Sequence, residues 1–347
     1  MDGPLHQRSL VTLDDFLQSE LDVGSFPSAS YAIGSSAGIE RTRALGHAVA
    51  VPLRISATTE TIYDCASLTK PLITTTLILQ AIEEGLITLD DVFEGHSYRS
   101  LLTHTSGLIA WMPLYLHGDY RATIRAQVPA HPSGTSVVYS DLNFILLYYA
   151  LQDLYGDYVQ RATERIVNPL GLRDALFRPP PSRRLRVAAT EWGQRYEATL
   201  GGRPEIGAMR PGLMWGETHD GNSFHAGGTA GNAGLFATAT DVFKIVQAFV
   251  RGELVSPDLV RDATRNHTAG LDDARGLGWQ LGTGSAATSM LSSHAFGHTG
   301  FTGTSVWVEP ESDRILVLLT NRVHPCAAPV AMQKIRGEFH RLALAMM

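Results

Sequence analysis

Residues 67–85 read SLTKPLITTTLILQAIEEG, a long run in which most residues are apolar or small. Its apolar residues recur at helical spacing, and Gly85 is a typical residue to end a helix. Pro71 falls in or just after the first turn, where its missing N–H costs little. The stretch therefore predicts a mostly buried helix over Ser67–Glu84, with Lys70 one turn beyond its first residue.

Strand-like segments occur on the N-terminal side of this helix and again near the far end of the chain. The predicted strands are Ala29–Ser35, Arg41–Ala50, Gly276–Gly282, Ser305–Glu309 and Arg314–Thr320. The middle of the chain is mainly helical, with Asp141–Tyr155 as a clear helix, and a last helix is expected at about 328–345. This order predicts an α/β domain built from 1–85 and 271–347, with a helical domain of residues 86–270 inserted. Ligand sites favour such junctions, so the site is expected between the two domains.

The composition is that of an ordinary globular protein with a mildly acidic charge. The 347 residues are 44% hydrophobic and 18% charged, and the formal net charge is −6. That balance argues against nucleic acid as a partner, and no apolar run approaches the roughly 20 residues of a membrane span. The segment MDGPLH lacks signal-peptide features, and two cysteines fit free thiols in a reducing compartment. A cytoplasmic location is expected, or a periplasmic or extracellular one if a leader was removed; the oligomeric state is not predicted.

Ser67 and Lys70 form a candidate nucleophile and base. Residues i and i+3 share one face of a helix, so the amine lies one turn above the hydroxyl. A lysine can take the serine proton if burial or a neighbouring charge lowers its pKa. The chain has only three lysines, at positions 70, 244 and 334, so a lysine at this spacing is informative. The alternative is a buried helix cap beside a lysine whose stem packs on the protein.

Two further motifs carry polar chemistry. Tyr139–Asp141 reads YSD before a predicted helix, where the tyrosine suits a proton relay and Asp141 alternatively suits a helix cap. His298–Gly300 reads HTG before Phe301 and a strand, and its small residues leave room for a substrate along the strand edge. The N–H groups of Phe301 and Ser67 suit an oxyanion hole. The plainer alternative for this second motif is a Gly-rich hairpin turn.

In this order, S-x-x-K, Y-x-[N/D] and H-T-G resemble the serine β-lactamase and penicillin-binding-protein family. Within it the chain is similar to the class C branch, with its relatives the D-aminopeptidases, DD-carboxypeptidases and β-lactamase-like esterases. The connecting segments that share this resemblance are LLTHTSGL at 101–108, PSG at 132–134, GNAGLFAT at 231–238 and LTN at 319–321. The resemblance covers about residues 25–345 and implies an antiparallel sheet flanked by helices, with an inserted all-helical domain.

The resemblance implies a serine hydrolase that needs no cofactor and no metal. Ser67 would be acylated, and Lys70 and Tyr139 would exchange its proton and then activate the deacylating water. The residues implied to hold the oxyanion or the substrate are Asp141, His298, Thr299, Gly300 and Phe301.

Two positions depart from the family pattern. Asp141 stands where asparagine is usual, and an ionised aspartate accepts hydrogen bonds but cannot donate them. His298 stands where lysine is usual, and an unperturbed histidine is mostly neutral at pH 7. Both changes weaken the recognition of β-lactam and D-Ala-D-Ala carboxylates, so esters are expected to be better substrates than β-lactams. Arg322, just after the last strand, is the alternative anchor for a carboxylate.

The expected function is hydrolysis of a small-molecule ester or amide, or of a peptide, by an enzyme of the carboxylesterase or D-amino-acid-peptidase type. A true class C-like β-lactamase or DD-carboxypeptidase is one alternative. A catalytically inactive binding module is an alternative of another class, although the intact Ser67, Lys70 and Tyr139 argue against it.

Other candidate chemistry is weaker. His219, Asp220 and His225 lack a regular metal-ligand spacing and are expected to line the site or to bond within a Gly-rich loop. Cys65 has no neighbouring histidine in sequence and is expected to be a buried thiol. The chain contains no G-x-S-x-G, so the α/β-hydrolase fold is unsupported.

Overall fold

The computed structural model describes residues 11–283 and 287–346. The N-terminal segment on which the predicted cellular location depends lies outside these residues. The α-helices in these ranges are α1 Leu13–Asp22, α2 Thr76–Glu83, α3 Tyr98–Leu102, α4 Tyr120–Arg125, α5 Asp141–Tyr155, α6 Tyr158–Ala162, α7 Arg195–Leu200, α8 Pro204–Met209, α9 Gly221–His225, α10 Ala239–Val250, α11 Pro257–Thr264 and α12 Met332–Leu344. The strands are β1 Ser28–Ser35, β2 Gly38–Val49, β3 Ile55–Ser56, β4 Tyr63–Asp64, β5 Val92–Phe93, β6 His96–Ser97, β7 Leu176–Phe177, β8 Leu235–Ala237, β9 Gln280–Leu281, β10 Phe296–Thr299, β11 Ser305–Glu309 and β12 Arg314–Thr320.

A seven-stranded sheet forms the main β layer, in the order β3-β2-β1-β12-β11-β10-β9. Every neighbouring pair in this sheet is antiparallel. Strands β1 and β12 come from opposite ends of the chain and lie side by side, with Ala32 opposite Val317. The antiparallel sheet flanked by helices confirms the predicted fold class. The inserted segment 86–270 is not all helical, however, because it contains the short strands β5 to β8. The division into domains at residues 85 and 271 stays a prediction.

The central strand β12 is apolar on both faces, because helices cover both sides of the sheet. Leu316 and Leu318 pack with α1 and α12 in one buried cluster. Ile315 and Val317 belong to the larger cluster, which also contains residues of α2, α5 and α10. Side chains alternate across a strand, so these successive residues serve two cores.

The segment from Ala66 to Glu83 is helical, as predicted, but it is not one regular α-helix. Ala66–Leu68 is a 3₁₀ turn, Lys70–Thr75 is a π turn, and α2 begins only at Thr76. Pro71 has no N–H to donate, which disrupts the i→i−4 pattern at this point. The Pro71 carbonyl, in the same turn, accepts a hydrogen bond from Thr76 Oγ1 at 3.2 Å. Ser67 and Lys70 therefore lie at an irregular helix start.

The strands nearest the site differ most from the prediction. Strand β9 covers only Gln280–Leu281 of the predicted Gly276–Gly282. Strand β10 carries the first two residues of the HTG motif and was not predicted, because Phe296–Thr299 shows no alternation of apolar residues. Gly297 lets β10 approach β11, since a Cβ there would lie 2.4 Å from the Trp307 ring. No helix among the described residues is long and apolar enough to cross a bilayer.

Candidate active site

Ser67 lies in the 3₁₀ turn, and its hydroxyl faces Lys70. Lys70 Nζ donates a hydrogen bond to Ser67 Oγ at 3.0 Å. The preceding residue, Ala66, has a φ of 47°, in the left-handed region that residues with a Cβ seldom adopt. Its N–H donates to Asp64 Oδ1 at 2.8 Å, which helps to hold this strained turn. The structure thus brings the predicted Ser67 and Lys70 together.

Lys70 is completely buried and is surrounded by acceptors. Its ammonium lies 2.6 Å from Asp141 Oδ1 and donates to the Asn232 carbonyl at 3.0 Å. Burial alone would lower the pKa of Lys70, but the Asp141 carboxylate and, after it, Tyr139 together outweigh burial, and the pKa lies above its usual value. Burial also raises the pKa of the Asp141 carboxyl, and the ammonium beside it opposes that rise. The condition under which Lys70 could act as the base, a lowered pKa, is therefore not met, because its ammonium is paired with the Asp141 carboxylate.

Tyr139 lies just before α5, with its ring near two cations. Lys70 Nζ is 5.1 Å from the centre of the ring, and the Arg275 guanidinium is 5.6 Å from it. The ring also lies against His104, with 4.6 Å between the ring centres. Tyr139 and Ser67 line the same cavity, so the predicted relay residue lies beside the predicted nucleophile.

His104 supports the segment that carries Tyr139, and sequence reasoning missed this. The Ser140 N–H donates to His104 Nδ1 at 3.1 Å, and the Asn143 amide lies 3.3 Å from the same nitrogen. Ser106 Oγ in turn donates to Asn143 Oδ1 at 2.6 Å. The LLTHTSGL segment therefore positions the YSD motif. The sequence pattern does not show that His104 contacts Ser140 and Asn143. Only the resemblance of the LLTHTSGL segment to the family pattern could have pointed to His104.

His298 is buried in β10, where it is neutral. Its Nδ1 lies 2.8 Å from the Thr299 carbonyl, which can only accept, so this nitrogen carries the proton. Its Nε2 has no hydrogen-bond partner among the described residues. Burial, followed by the charges of Lys70 and Arg275, holds the pKa of His298 well below its usual range. His298 therefore supplies no fixed positive charge at neutral pH.

The turn after β10 lies directly against the turn that carries Ser67. A Cβ on Gly300 would come within 2.7 Å of the Cys65 carbonyl and 2.1 Å of Thr304 Oγ1. Thr304 Oγ1 donates to the Cys65 carbonyl at 3.1 Å, which ties the two turns together. The N–H groups of Ser67 and Phe301 have no acceptor among the described residues. They are available to a developing oxyanion.

A cavity of about 1020 Å³ opens beside these residues. The lining includes Ser67, Tyr139, His298, Thr299, Gly300, Phe301 and Arg322, which were all predicted site residues. Asp141 is not part of the cavity lining; it contacts Lys70, which in turn contacts Ser67. Arg275 also lines the cavity, is buried and pairs with Asp273 at 2.5 Å. No sequence motif marks Arg275, because it reaches the site through the fold of the segment before β9.

The residues considered for metal binding have other partners. His219 Nε2 lies 3.2 Å from Glu191 Oε2, and both side chains are buried. Asp220 caps α9, which lies inside the Gly-rich loop, and the His225 ring stacks on Tyr115. Asp220 thus bonds within the loop as expected, whereas His219 and His225 contact Glu191 and Tyr115 outside the loop, and neither histidine lines the cavity. Cys65 is a buried free thiol and Cys326 is an exposed one.

Comparison with known proteins agrees with this architecture. The family model described as Beta-lactamase matches residues 13–336. A protein of Salmonella enteritidis named "Putative D-alanyl-D-alanine carboxypeptidase" is 27% identical over 94% of this chain and 85% of its own length.

Two solved structures illustrate how closely this fold is shared. Simvastatin synthase from Aspergillus terreus has a TM-score of 0.73 at 18% identity, covering 96% of this chain and 97% of its own. EstCE1, described as a hydrolase with promiscuous acyltransferase activity, has a TM-score of 0.71 at 18% identity, covering 94% and 97% of the two chains. At these identities the likeness concerns the fold.

A fold of this kind, with a serine and a lysine at the start of a buried helix, defines a serine hydrolase. The chain belongs to the β-lactamase family, because the family model spans most of its length.

Proposed function

We propose that this protein forms an acyl-enzyme on Ser67 and cleaves an ester or amide of a small molecule. The observation that carries the proposal is the 3.0 Å contact of Ser67 Oγ with the Lys70 ammonium, at the wall of the 1020 Å³ cavity. Tyr139 and the Phe301 turn line the same cavity. Nucleophile, proton relay and oxyanion donors are thus grouped around one cavity, and the cation contacts the nucleophile from outside the lining.

The proton route follows from the charge of Lys70. An ammonium paired with a carboxylate has no lone pair, so we assign the Ser67 proton to Tyr139. In this proposal Tyr139 acts as the phenolate, the form that the nearby cations of Lys70 and Arg275 favour. Ser67 Oγ bonds to the substrate carbonyl carbon, and the oxyanion is held by the N–H groups of Ser67 and Phe301. When the bond to the leaving group breaks, Tyr139 returns the proton to that group. A water molecule then attacks the acyl carbon by the same route, and Ser67 recovers its proton.

The polar groups beside the cavity favour esters over β-lactams. The Asp141 carboxylate is engaged by Lys70 and cannot donate to a substrate amide. His298 is neutral and provides no anchor for a β-lactam carboxylate. An ester also has a better leaving group than an amide, so it depends less on the proton relay.

A second candidate is D-alanyl carboxypeptidase activity. It is favoured by Arg275, whose guanidinium lies beside the Tyr139 ring, where the leaving group would receive its proton. Asp273 accepts from Nε and one terminal nitrogen of Arg275, which leaves the other terminal nitrogen for a substrate. The leaving residue of such a peptide carries a carboxylate, which a guanidinium binds well. The name of the Salmonella relative points in the same direction.

Covalent labelling with a fluorophosphonate tests the acyl-enzyme proposal. We expect stoichiometric labelling of the peptide containing Ser67, and neither label nor turnover in a folded Ser67→Ala variant. Values of kcat/KM for p-nitrophenyl acetate, nitrocefin and a D-Ala-D-Ala peptide then decide the substrate class. Turnover near the wild-type rate in Ser67→Ala would remove Ser67 from the mechanism. A wild type without label and without turnover would favour the binding module.

A further inference from the structure

Two arginines beyond the Phe301 turn line the cavity without an acidic partner. Arg322 follows β12 and is partly buried, whereas Arg336 lies on α12 and is only 5% exposed. Among the lining residues, Arg275 has Asp273 as a counter-ion. Arg322 and Arg336 have no carboxylate within ion-pair distance in the described part of the chain. A buried charge without a counter-ion is costly, so a bound anion would stabilise this pair of arginines.

Backbone carbonyls of the turn at residues 300–304, which contains Phe301, hold both guanidiniums in place. Arg322 Nε donates to the Phe301 carbonyl at 2.7 Å, and the guanidinium lies 4.5 Å from the centre of the Phe301 ring. One terminal nitrogen of Arg336 donates to the carbonyls of Gly300 and Thr304, at 3.1 and 2.9 Å. Arg336 Nε is buried without a partner among the described residues. Both arginines are fixed and retain unused donors.

The charge of Arg322 also acts on Arg336. Burial lowers the pKa of Arg336 to about 9, and the positive charge of Arg322 is the next cause. Burial likewise lowers the pKa of Arg322. An anion placed between the two side chains would relieve both the desolvation and the repulsion.

We propose that Arg322 and Arg336 form a subsite for a carboxylate on the acyl half of the substrate, a proposal that depends on the acyl-enzyme chemistry above. Tyr139 returns the proton to the leaving group, so the leaving group lies on the Tyr139 side. The acyl oxygen lies at the Phe301 N–H, and Arg322 binds the carbonyl of the same residue. The acyl chain therefore continues past Phe301 toward the arginines. The substrate class is a monoester or monoamide of a dicarboxylic acid.

The subsite is tested with two p-nitrophenyl esters of equal acyl length, the glutaric acid monoester and the valeric acid ester. We expect the wild type to prefer the glutarate in kcat/KM and to lose that preference as salt is raised. In Arg322→Gln the ratio of glutarate to valerate should fall at least tenfold. Arg54→Gln, which removes an exposed arginine outside the cavity lining, should leave the ratio and the basal activity unchanged.

A binding measurement separates this proposal from the catalytic one. Calorimetry with the stable monoanilide of glutaric acid compares Ser67→Ala with Ser67→Ala/Arg322→Gln, and we expect at least tenfold weaker binding in the latter. If Ser67 takes no acyl group but this difference holds, the catalytic proposal fails and the subsite stands. Turnover at Ser67 with a ratio that does not respond to Arg322→Gln overturns the subsite alone. Equal binding of the monoanilide to both variants also overturns it, as does its failure to bind Ser67→Ala.

Discussion

The Asp141 carboxylate fixes the charge of Lys70. Lys70 is fully buried, and desolvation disfavours its ammonium form, yet the 2.6 Å contact with Asp141 raises its pKa above the usual value. An asparagine at position 141 would leave the burial and remove the compensating charge. In the proposed mechanism, the aspartate that replaces the family's usual asparagine therefore determines which proton carrier the site can use.

Asp141→Asn should therefore shift the pH profile of the enzyme. Without the carboxylate, the pKa of Lys70 falls, and the cation is lost at a lower pH than in the wild type. In our mechanism the cation is the active form, so kcat/KM of Asp141→Asn should fall at alkaline pH within a range in which the wild type, whose Lys70 pKa is raised, stays level. The check is kcat/KM for p-nitrophenyl acetate from pH 6 to 10.5, after subtraction of spontaneous hydrolysis.

Asp258→Asn is the control, because Asp258 is an exposed carboxylate paired with Arg261 on α11. Its profile should match the wild type. A rate increase at pH 7 in Asp141→Asn would contradict the mechanism, since it would show that neutral Lys70 is the base.

At the scale of elements, the site depends on how closely two turns approach. Gly300 lies against Cys65 and Thr304, with no space for a side chain. This approach sets the spacing between the Ser67 and Phe301 N–H groups. A methyl group at position 300 must push the end of β10 away from the Ser67 turn, because its nearest neighbours include backbone.

Gly300→Ala should consequently lower kcat/KM for p-nitrophenyl acetate at least tenfold, mainly through kcat, because the oxyanion donors are misplaced. Gly38→Ala is the matched control. Gly38 lies in the β1–β2 hairpin, and a Cβ there meets nothing within 4 Å. An unchanged kcat in Gly300→Ala would mean that the two N–H groups do not hold the oxyanion together.

The sequence predicted the elements that follow a simple period and missed those formed by tertiary contacts. Strand β12 and helix α5 have the predicted bounds, because apolar runs and turn residues mark their ends. Strand β10 has only four residues and pairs where a glycine faces Trp307, which no local pattern indicates. At the site, the S-x-x-K spacing gave Ser67 and Lys70. Arg275 and Arg336 had no motif, because only the folded chain brings them to the cavity.

At the scale of the whole molecule, buried neutral histidines connect stability to pH. Burial lowers the pKa of His104, His298, His324 and His340, which lie in different parts of the fold. In the unfolded chain each takes up a proton near pH 6.5, whereas the folded protein resists that protonation until lower pH. Their contribution to stability is therefore complete above pH 6.5 and is lost as the pH falls below it. Burial raises the pKa of buried carboxyls such as Asp64. Their contribution to stability therefore has the opposite dependence on pH.

His340 allows the histidine contribution to be isolated, because its folded pKa lies at about 4. The side chain is completely buried beside Trp307 and Phe339, and its Nδ1 donates to the Ala287 carbonyl at 2.6 Å. Relative to pH 7.5, its titration destabilises the fold at pH 5 by about 2 kcal/mol.

His340→Phe keeps a ring of similar size and removes the titration, although it loses the hydrogen bond at every pH. The difference in free energy of unfolding between pH 7.5 and pH 5, measured with urea, should shift by about 2 kcal/mol toward greater relative stability at pH 5. His117→Phe, at an exposed site, should leave that difference unchanged. An equal pH dependence in His340→Phe and the wild type would mean that the folded protein accommodates a charged His340, and so that burial there does not resist the proton.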